Sequence, residues 1–278
     1  MPRRVGDRRL PADARVLFTG CGTSYHAALA CGRAAQALEL VLGNAPAADV
    51  LVAISHEGGT ALTLEAVRRF AGETWLITGA VESALAQAVD HVVVATPAIE
   101  ESYCHTASYT AAVAAGRALQ GEDVGDLGGQ VFRELDTEPL AATEHDRFVV
   151  AGAGRDAATV LEAVLKLREG AHVAAEAHQT EQLLHGHLAA IGPSVRCFVL
   201  EGGGRAAERA VDAMRALGEL GCDALLVPTT HPVVDIVRFQ RLTCELAEAR
   251  GIDPDLIRWD EDPWDRARKA QDFTAADP

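Results

Sequence analysis

The sequence predicts an α/β protein built as two tandem halves, each a mostly parallel sheet flanked by helices on both faces. Three observations carry that expectation. Short apolar runs alternate with alanine-rich helical segments along most of the chain, as strands joined by helical crossovers require. The run RVLFT at 15–19 ends in Gly20-Cys21-Gly22-Thr23-Ser24 and leads into a helical segment, the opening of an α/β unit. That opening recurs at 147–154 as RFVVAGAG, so the two halves read as an internal duplication.

In order, strands are expected at 15–19, 49–54, 74–78 and 91–95, with helices at 25–38, 61–70, 83–88 and 103–119. Between 121 and 146 the periodicity weakens while glycine, acidic residues and Pro139 accumulate, with some helix expected at 130–135. The boundary is placed there, giving a first domain at 1–135 and a second at 136–278 that keeps the C-terminal tail. The second half continues with strands at 195–200 and 224–227 and helices at 206–220 and 231–250. Residues 160–187, VLEAVLKLREGAHVAAEAHQTEQLLHGH, read as one mostly helical run with a turn at Gly186.

A chain of 278 residues with 49% hydrophobic content can hold two ordinary cores. Its net charge of −15 argues against nucleic acid and anionic membranes as partners. The six cysteines form no CxxC pair or zinc-ligand spacing, which fits a reduced, cytoplasmic protein. No apolar signal core follows MPRRVGDRRL, and no apolar run is long enough to span a membrane. The dinucleotide fingerprint is incomplete: Tyr25 stands where the third glycine belongs after Gly22, and Ala157 after Gly154. No cofactor is expected.

The stretch 160–187 is dense in proton-transfer groups. Lys166 and Glu169 are three residues apart and share a helix face; taken alone they read first as a surface ion pair. His172, His178, His185 and His187 lack a carboxylate or cysteine at helix-matched spacing, so no metal is expected. In the first half, hydroxyls gather at two helix starts, Thr23-Ser24 and Ser55 with Thr60. They are either plain helix caps or the rim of a site for an anionic or polyhydroxy ligand.

GCGTS before an alanine-rich helix, the S-x-x-G-x-T turn at 55–60, and E-A-x-L-K-L-R-E…A-E-A…H-G from Glu162 onward resemble the SIS (sugar isomerase) family. Within it, the residues are most similar to the double-SIS isomerase half of the glutamine–fructose-6-phosphate amidotransferases (glucosamine-6-phosphate synthases). The resemblance runs from Arg15 to about Arg250. It implies that Ser55, His56, Glu57 and Thr60 match the sugar-phosphate loop and Thr23 and Ser24 the first glycine turn. Glu169 matches the base that moves a proton between sugar C1 and C2, and Lys166 the nearby lysine. His185 matches the ring-opening histidine, which family members donate to the neighbouring subunit, so a homodimer is implied. No glutaminase half precedes these residues, so ammonia transfer from glutamine is not expected.

The departures bear on substrate. Family phosphate loops usually read S-Q-S-G-E-T, whereas this one reads S-H-E-G-G-T. Glu57 stands where a phosphate-contacting hydroxyl is usual, and like charges a few ångströms apart cost on the order of 1 kcal/mol even in water. Either Glu57 turns away, or His56 and His105 protonate to compensate, or the ligand lacks a phosphate there. His105-Thr106 replaces the family's serine–threonine pair after the fourth strand, which by the resemblance would add a cation or proton donor to the pocket. In the tail, Lys269 is the candidate for the family's terminal lysine, with Arg268 in nearly the same register. The expected ligand is a sugar phosphate or a related acidic or amino sugar, and the expected activity aldose–ketose isomerisation, alone or coupled to deamination. A ketosamine-phosphate deglycase and a non-catalytic sugar-phosphate-binding regulator are the alternatives.

Overall fold

Val50–Ile54 is buried along its whole length, as a strand with neighbours on both edges and helices on both faces must be. In the computed structural model, which describes residues 8–141 and 145–269, it is the centre of the first of two parallel sheets. The first unit runs β1 (Val16–Gly20), α1 (Thr23–Cys31), β2 (Ala34–Gln36), α2 (Ala37–Val41), β3 (Val50–Ile54), α3 (Ala61–Arg69), β4 (Glu73–Thr78), α4 (Ala84–Ala88), β5 (His91–Val94) and α5 (Ala107–Leu119). The second runs α6 (Leu127–Leu135), β6 (Arg147–Gly152), α7 (Ala157–Ala171), β7 (Ala174–Gln179), α8 (Thr180–Leu184), β8 (Val195–Leu200), α9 (Arg205–Glu219), β9 (Asp223–Val227) and α10 (Pro232–Arg250). A last helix, α11 (Asp262–Arg268), lies in the tail.

The strand orders are β2-β1-β3-β4-β5 and β7-β6-β8-β9, parallel throughout. Both sheets grow in one direction from their first strand and then reverse. The order therefore switches between β1 and β3 in one unit and between β6 and β8 in the other. Such switch points open a crevice beyond the strands' carboxyl ends. The two units thus share the order of their first strands, β2-β1-β3-β4 in one and β7-β6-β8-β9 in the other. Leu17, Leu51, Leu76 and Leu85 pack in the first core and Val149, Cys197, Val199 and Leu217 in the second.

Two expected helices prove to be broken. The segment 25–38 is α1, the short strand β2 and the start of α2. The run at 160–187 is α7, then β7, then α8 and a 3-10 turn over His187–Ala190. Both missed strands are edges, paired only to the first strand of their sheet. Their sequences, AAQ and AAEAHQ, are rich in helix formers, and strand pairing overrides that local preference. Helix α5 begins only at Ala107, because the residues before it form a loop that caps it.

Among the described residues, contacts gather 8–127 with 258–269 in one compact unit and the residues between 128 and 257 in another. Helix α6 belongs with the second unit because Glu134 pairs with Arg238 and Arg241 donates to the Glu134 and Thr137 carbonyls at 3.0 and 2.9 Å. The tail belongs with the first because the Trp259 ring lies 5.3 Å from that of Tyr103, and the Arg268 guanidinium covers Trp259 at 3.5 Å. Among the described residues no helix is long and apolar enough to cross a membrane.

Candidate active site

In the first unit, Gly22 takes φ +54 and Gly20 abuts Ser24, where a Cβ would lie 2.7 Å from the Ser24 backbone. The strand thereby turns at once into α1, placing Thr23 and Ser24 in its first turn. After β3, buried Ser55 is tied by its N–H to the Ile77 carbonyl at 3.1 Å, and its hydroxyl lies 3.5 Å from that of Thr60. Gly58, at φ +65, holds the loop against the start of α4; a Cβ there would sit 2.0 Å from Ser83 Oγ. Thr60 precedes α3 yet makes no side-chain cap to it. Its hydroxyl therefore stands beside that of Ser55 at a helix start that it does not cap.

His56 is committed differently. Its Nε2 accepts the Glu100 N–H at 2.8 Å, so its ring proton belongs on Nδ1. Burial, reinforced by nearby His105, pushes the imidazole below its ordinary range, while Glu100 and Glu57 oppose the shift. Glu57 itself is exposed. Glu100, which sequence reasoning did not single out, accepts the N–H groups of Thr106, Ala107 and Ser108 at 2.8–3.0 Å and the Thr106 hydroxyl at 2.9 Å. His105 Nδ1 lies 3.8 Å from Glu100 Oε2, the oxygen that accepts the Ser108 N–H. Burial opposes ionisation of Glu100, but the nearby His105 and the hydrogen bonds from Ser108 and Thr106 hold the carboxyl well below the usual range. The start of α5 is thus filled by the protein's own anion, and Thr106 donates into that cap. The spacing from Glu100 to α5 matches no capping motif, so nothing in the sequence marked it.

In the second unit, α7 carries the pair that sequence reasoning selected. Lys166 Nζ is 2.8 Å from Glu169 Oε2 and 3.4 Å from Glu162 Oε1. Lys166 and Glu162 are fully buried, whereas the Glu169 side chain keeps 25% of its surface exposed. The arrangement is a lysine with one carboxylate behind it and another that reaches solvent. Glu162, one turn before Lys166, was legible only as part of the motif.

His185 follows α8, its side chain 71% exposed and its Nε2 2.8 Å from Glu181. The rings of His178 and His187 lie tilted against each other with centroids 4.3 Å apart. Among the described residues no three metal-ligating side chains gather. In the tail, Lys269 is exposed and lies 3.5 Å from Asp265, while Arg268 is the residue stacked on Trp259.

No family model matches the chain. The isomerizing glutamine–fructose-6-phosphate aminotransferase of Aeropyrum pernix is 30% identical over 315 positions, covering 88% of this chain and 50% of that protein. The solved glucosamine-6-phosphate deaminase of Thermotoga maritima superposes with a TM-score of 0.71 at 22% identity, covering 87% of each chain. The C-terminal domain of the glucosamine-fructose-6-phosphate aminotransferase of Francisella tularensis superposes with a TM-score of 0.70 at 19% identity, covering 86% of each. With its two switch-point sheets and its E-A-x-L-K-L-R-E helix, the chain has the fold of, and resembles, tandem SIS (sugar isomerase) domain proteins. It is similar to the isomerase half of the glutamine–fructose-6-phosphate aminotransferases, and spans about half the length of the curated relatives it matches.

Proposed function

We propose that the chain is an aldose–ketose isomerase of a sugar phosphate or a closely related acidic or amino sugar. The observation that carries the reading is the α7 pair, a fully buried ammonium 2.8 Å from a carboxylate that reaches solvent. Isomerisation needs one base to carry a proton between C1 and C2 and a cation to stabilise the enediolate formed between those steps. Glu169 is the base and Lys166 the cation. Ser55 and Thr60 hold the anionic end, Thr23 and Ser24 the sugar hydroxyls. Exposed His185 opens the sugar ring, and in a homodimer it is free to serve the neighbouring protomer. The fructose 6-phosphate and glucosamine 6-phosphate in the relatives' names support a hexose phosphate of that kind.

The test is exchange of the sugar C2 proton with solvent deuterium, followed by NMR on fructose 6-phosphate and glucosamine 6-phosphate. In Glu169→Gln the exchange is expected to fall about 10²–10⁴-fold, as for loss of a general base. Exchange at the wild-type rate in that variant ends the assignment.

One observation favours a second reading, deamination of an amino sugar phosphate. Exposed Glu57 brings a negative charge to the anion loop, which suits a ligand that also carries an amine. Ammonia release from glucosamine 6-phosphate, assayed beside the isomerisation of fructose 6-phosphate, separates the two. A ketosamine-phosphate deglycase would release an amine only from a ketosamine substrate. A pure regulator would bind these sugars and turn over none.

A further inference from the structure

We infer that Glu181, clamped by Arg209, is a positioning residue that presents Nδ1 of His185 to the sugar; this rests on the reading of His185 as the ring opener. Nothing packs against most of the His185 ring, since its side chain is 71% exposed. Left alone, such an imidazole would sample several rotamers and both neutral tautomers. Glu181, one helical turn earlier, places Oε1 2.8 Å from its Nε2. Gln179 starts that turn, its side-chain oxygen accepting the N–H groups of Glu181 and Gln182 at 2.7 and 3.0 Å.

Glu181 is in turn fixed from α9. Arg209 reaches it with a two-pronged contact, Nε to Oε2 at 2.8 Å and Nη2 to Oε1 at 3.2 Å. The same guanidinium donates to Asp212 at 2.6 Å, and Asp212 also receives Arg215 at 3.2 Å. An isolated exposed His–Glu pair would contribute little to stability, and Arg209 alone would satisfy the carboxylate. The additional bond to His185 therefore has its consequence in orientation. An ionised carboxylate only accepts, so Nε2 must carry the ring hydrogen, leaving the Nδ1 lone pair open. Nδ1 can then take the anomeric hydroxyl proton while Glu181 balances the imidazolium formed. The same proton returns to the ring oxygen as the ring C–O bond breaks and the carbonyl forms, so no proton is gained or lost overall.

The experiment pairs a spectroscopic readout with kinetics on the full chain. Ring ¹⁵N shifts, assigned with His185→Ala, are expected to show the Nε2–H tautomer in the wild type and in Glu181→Gln, whose amide oxygen still accepts. A mixture of tautomers is expected in Glu181→Leu. With fructose 6-phosphate as the probe, Glu181→Leu is expected to lower kcat about tenfold with KM within about twofold, the scale on which a group that orients a functional histidine acts. A wild-type Nδ1–H tautomer, or an unchanged Nε2–H tautomer in Glu181→Leu, overturns the inference. If His185→Ala turns over as fast as wild type, the ring-opening reading fails instead, and the tautomer result still decides what Glu181 does to the ring.

Discussion

Helices α1 and α7 occupy the same place in the two units, each following the first strand of its sheet and preceding the edge strand. The first buries Ala27, Ala28, Ala30 and Cys31. The second buries Ala158, Ala163, Val164 and Leu167, and with them Glu162 and Lys166. This position in the fold is thus filled by small apolar side chains in one copy and holds a buried ion pair in the other. Buried pairs are weak contributors to stability, because desolvation offsets most of their attraction. Packing alone does not require the charges on α7, since α1 fills the same place without them.

The switch points differ in the complementary sense. In the first unit the hydroxyls of Ser55 and Thr60 stand at an uncapped helix start. In the second, the corresponding crevice is occupied by the protein's own groups. Thr229 Oγ1 accepts the Gly202 N–H at 3.2 Å and donates to buried Asp156 at 3.1 Å, and buried Asp235 accepts the Thr230 N–H at 2.8 Å. One copy leaves two hydroxyls at an uncapped helix start, and the other joins the corresponding positions by its own hydrogen bonds and carries buried charges on α7.

The largest expected effect breaks the α1–α7 comparison directly. Lys166→Met leaves Glu162 buried without its cation and is expected to lower stability by about 3–5 kcal/mol, read as a shift in the urea midpoint. Glu162→Leu combined with Lys166→Met makes α7 resemble α1. It is expected to recover most of that stability while C2 proton exchange stays lost. Recovery of exchange in the double variant would show that the pair was structural after all.

The alternation of strands and helices and the duplicated openings were legible because buried parallel strands read as apolar runs bounded by glycine turns. Strands β2 and β7 were not, because an alanine-rich edge strand looks like helix until its neighbour is known. The pairing of Lys166 with Glu169 was legible because three-residue spacing puts both on one helix face. Glu100 and Arg209 were not, since each acts on residues that only folding brings near. The same is true of Glu134, whose ion pair with Arg238 carries α6 into the second unit.

A smaller effect tests whether the second crevice is closed as described. Burial raises the Asp235 carboxyl from an ordinary 3.8 to about 6, with Asp156 adding to the shift and the Thr230 bonds opposing it. Its folded pKa lies above its unfolded one. The stability from its protonated form is therefore complete below about pH 4 and lost as pH rises through about 6. Asp235→Asn is expected to remove this fall, leaving a flatter urea midpoint between pH 5 and 7 than wild type. Identical slopes would mean that Asp235 is hydrated, and the contrast between the two crevices would lose its second half.

The smallest expected effect sharpens the first crevice. Glu57 is exposed, so its repulsion of a bound phosphate is limited to about 1 kcal/mol and is weakened by salt. If it faces the anion held by Ser55 and Thr60, Glu57→Gln should tighten fructose 6-phosphate binding about fivefold at low ionic strength, measured by titration calorimetry. The gain should shrink toward nothing at about 1 M salt, where screening acts within a few ångströms. An unchanged affinity at both salts would mean that the side chain points away and the loop works as an ordinary phosphate loop. A weaker affinity for glucosamine 6-phosphate, beside a stronger one for fructose 6-phosphate, would mean that Glu57 pairs with the amine, and deamination would become the better reading of the site.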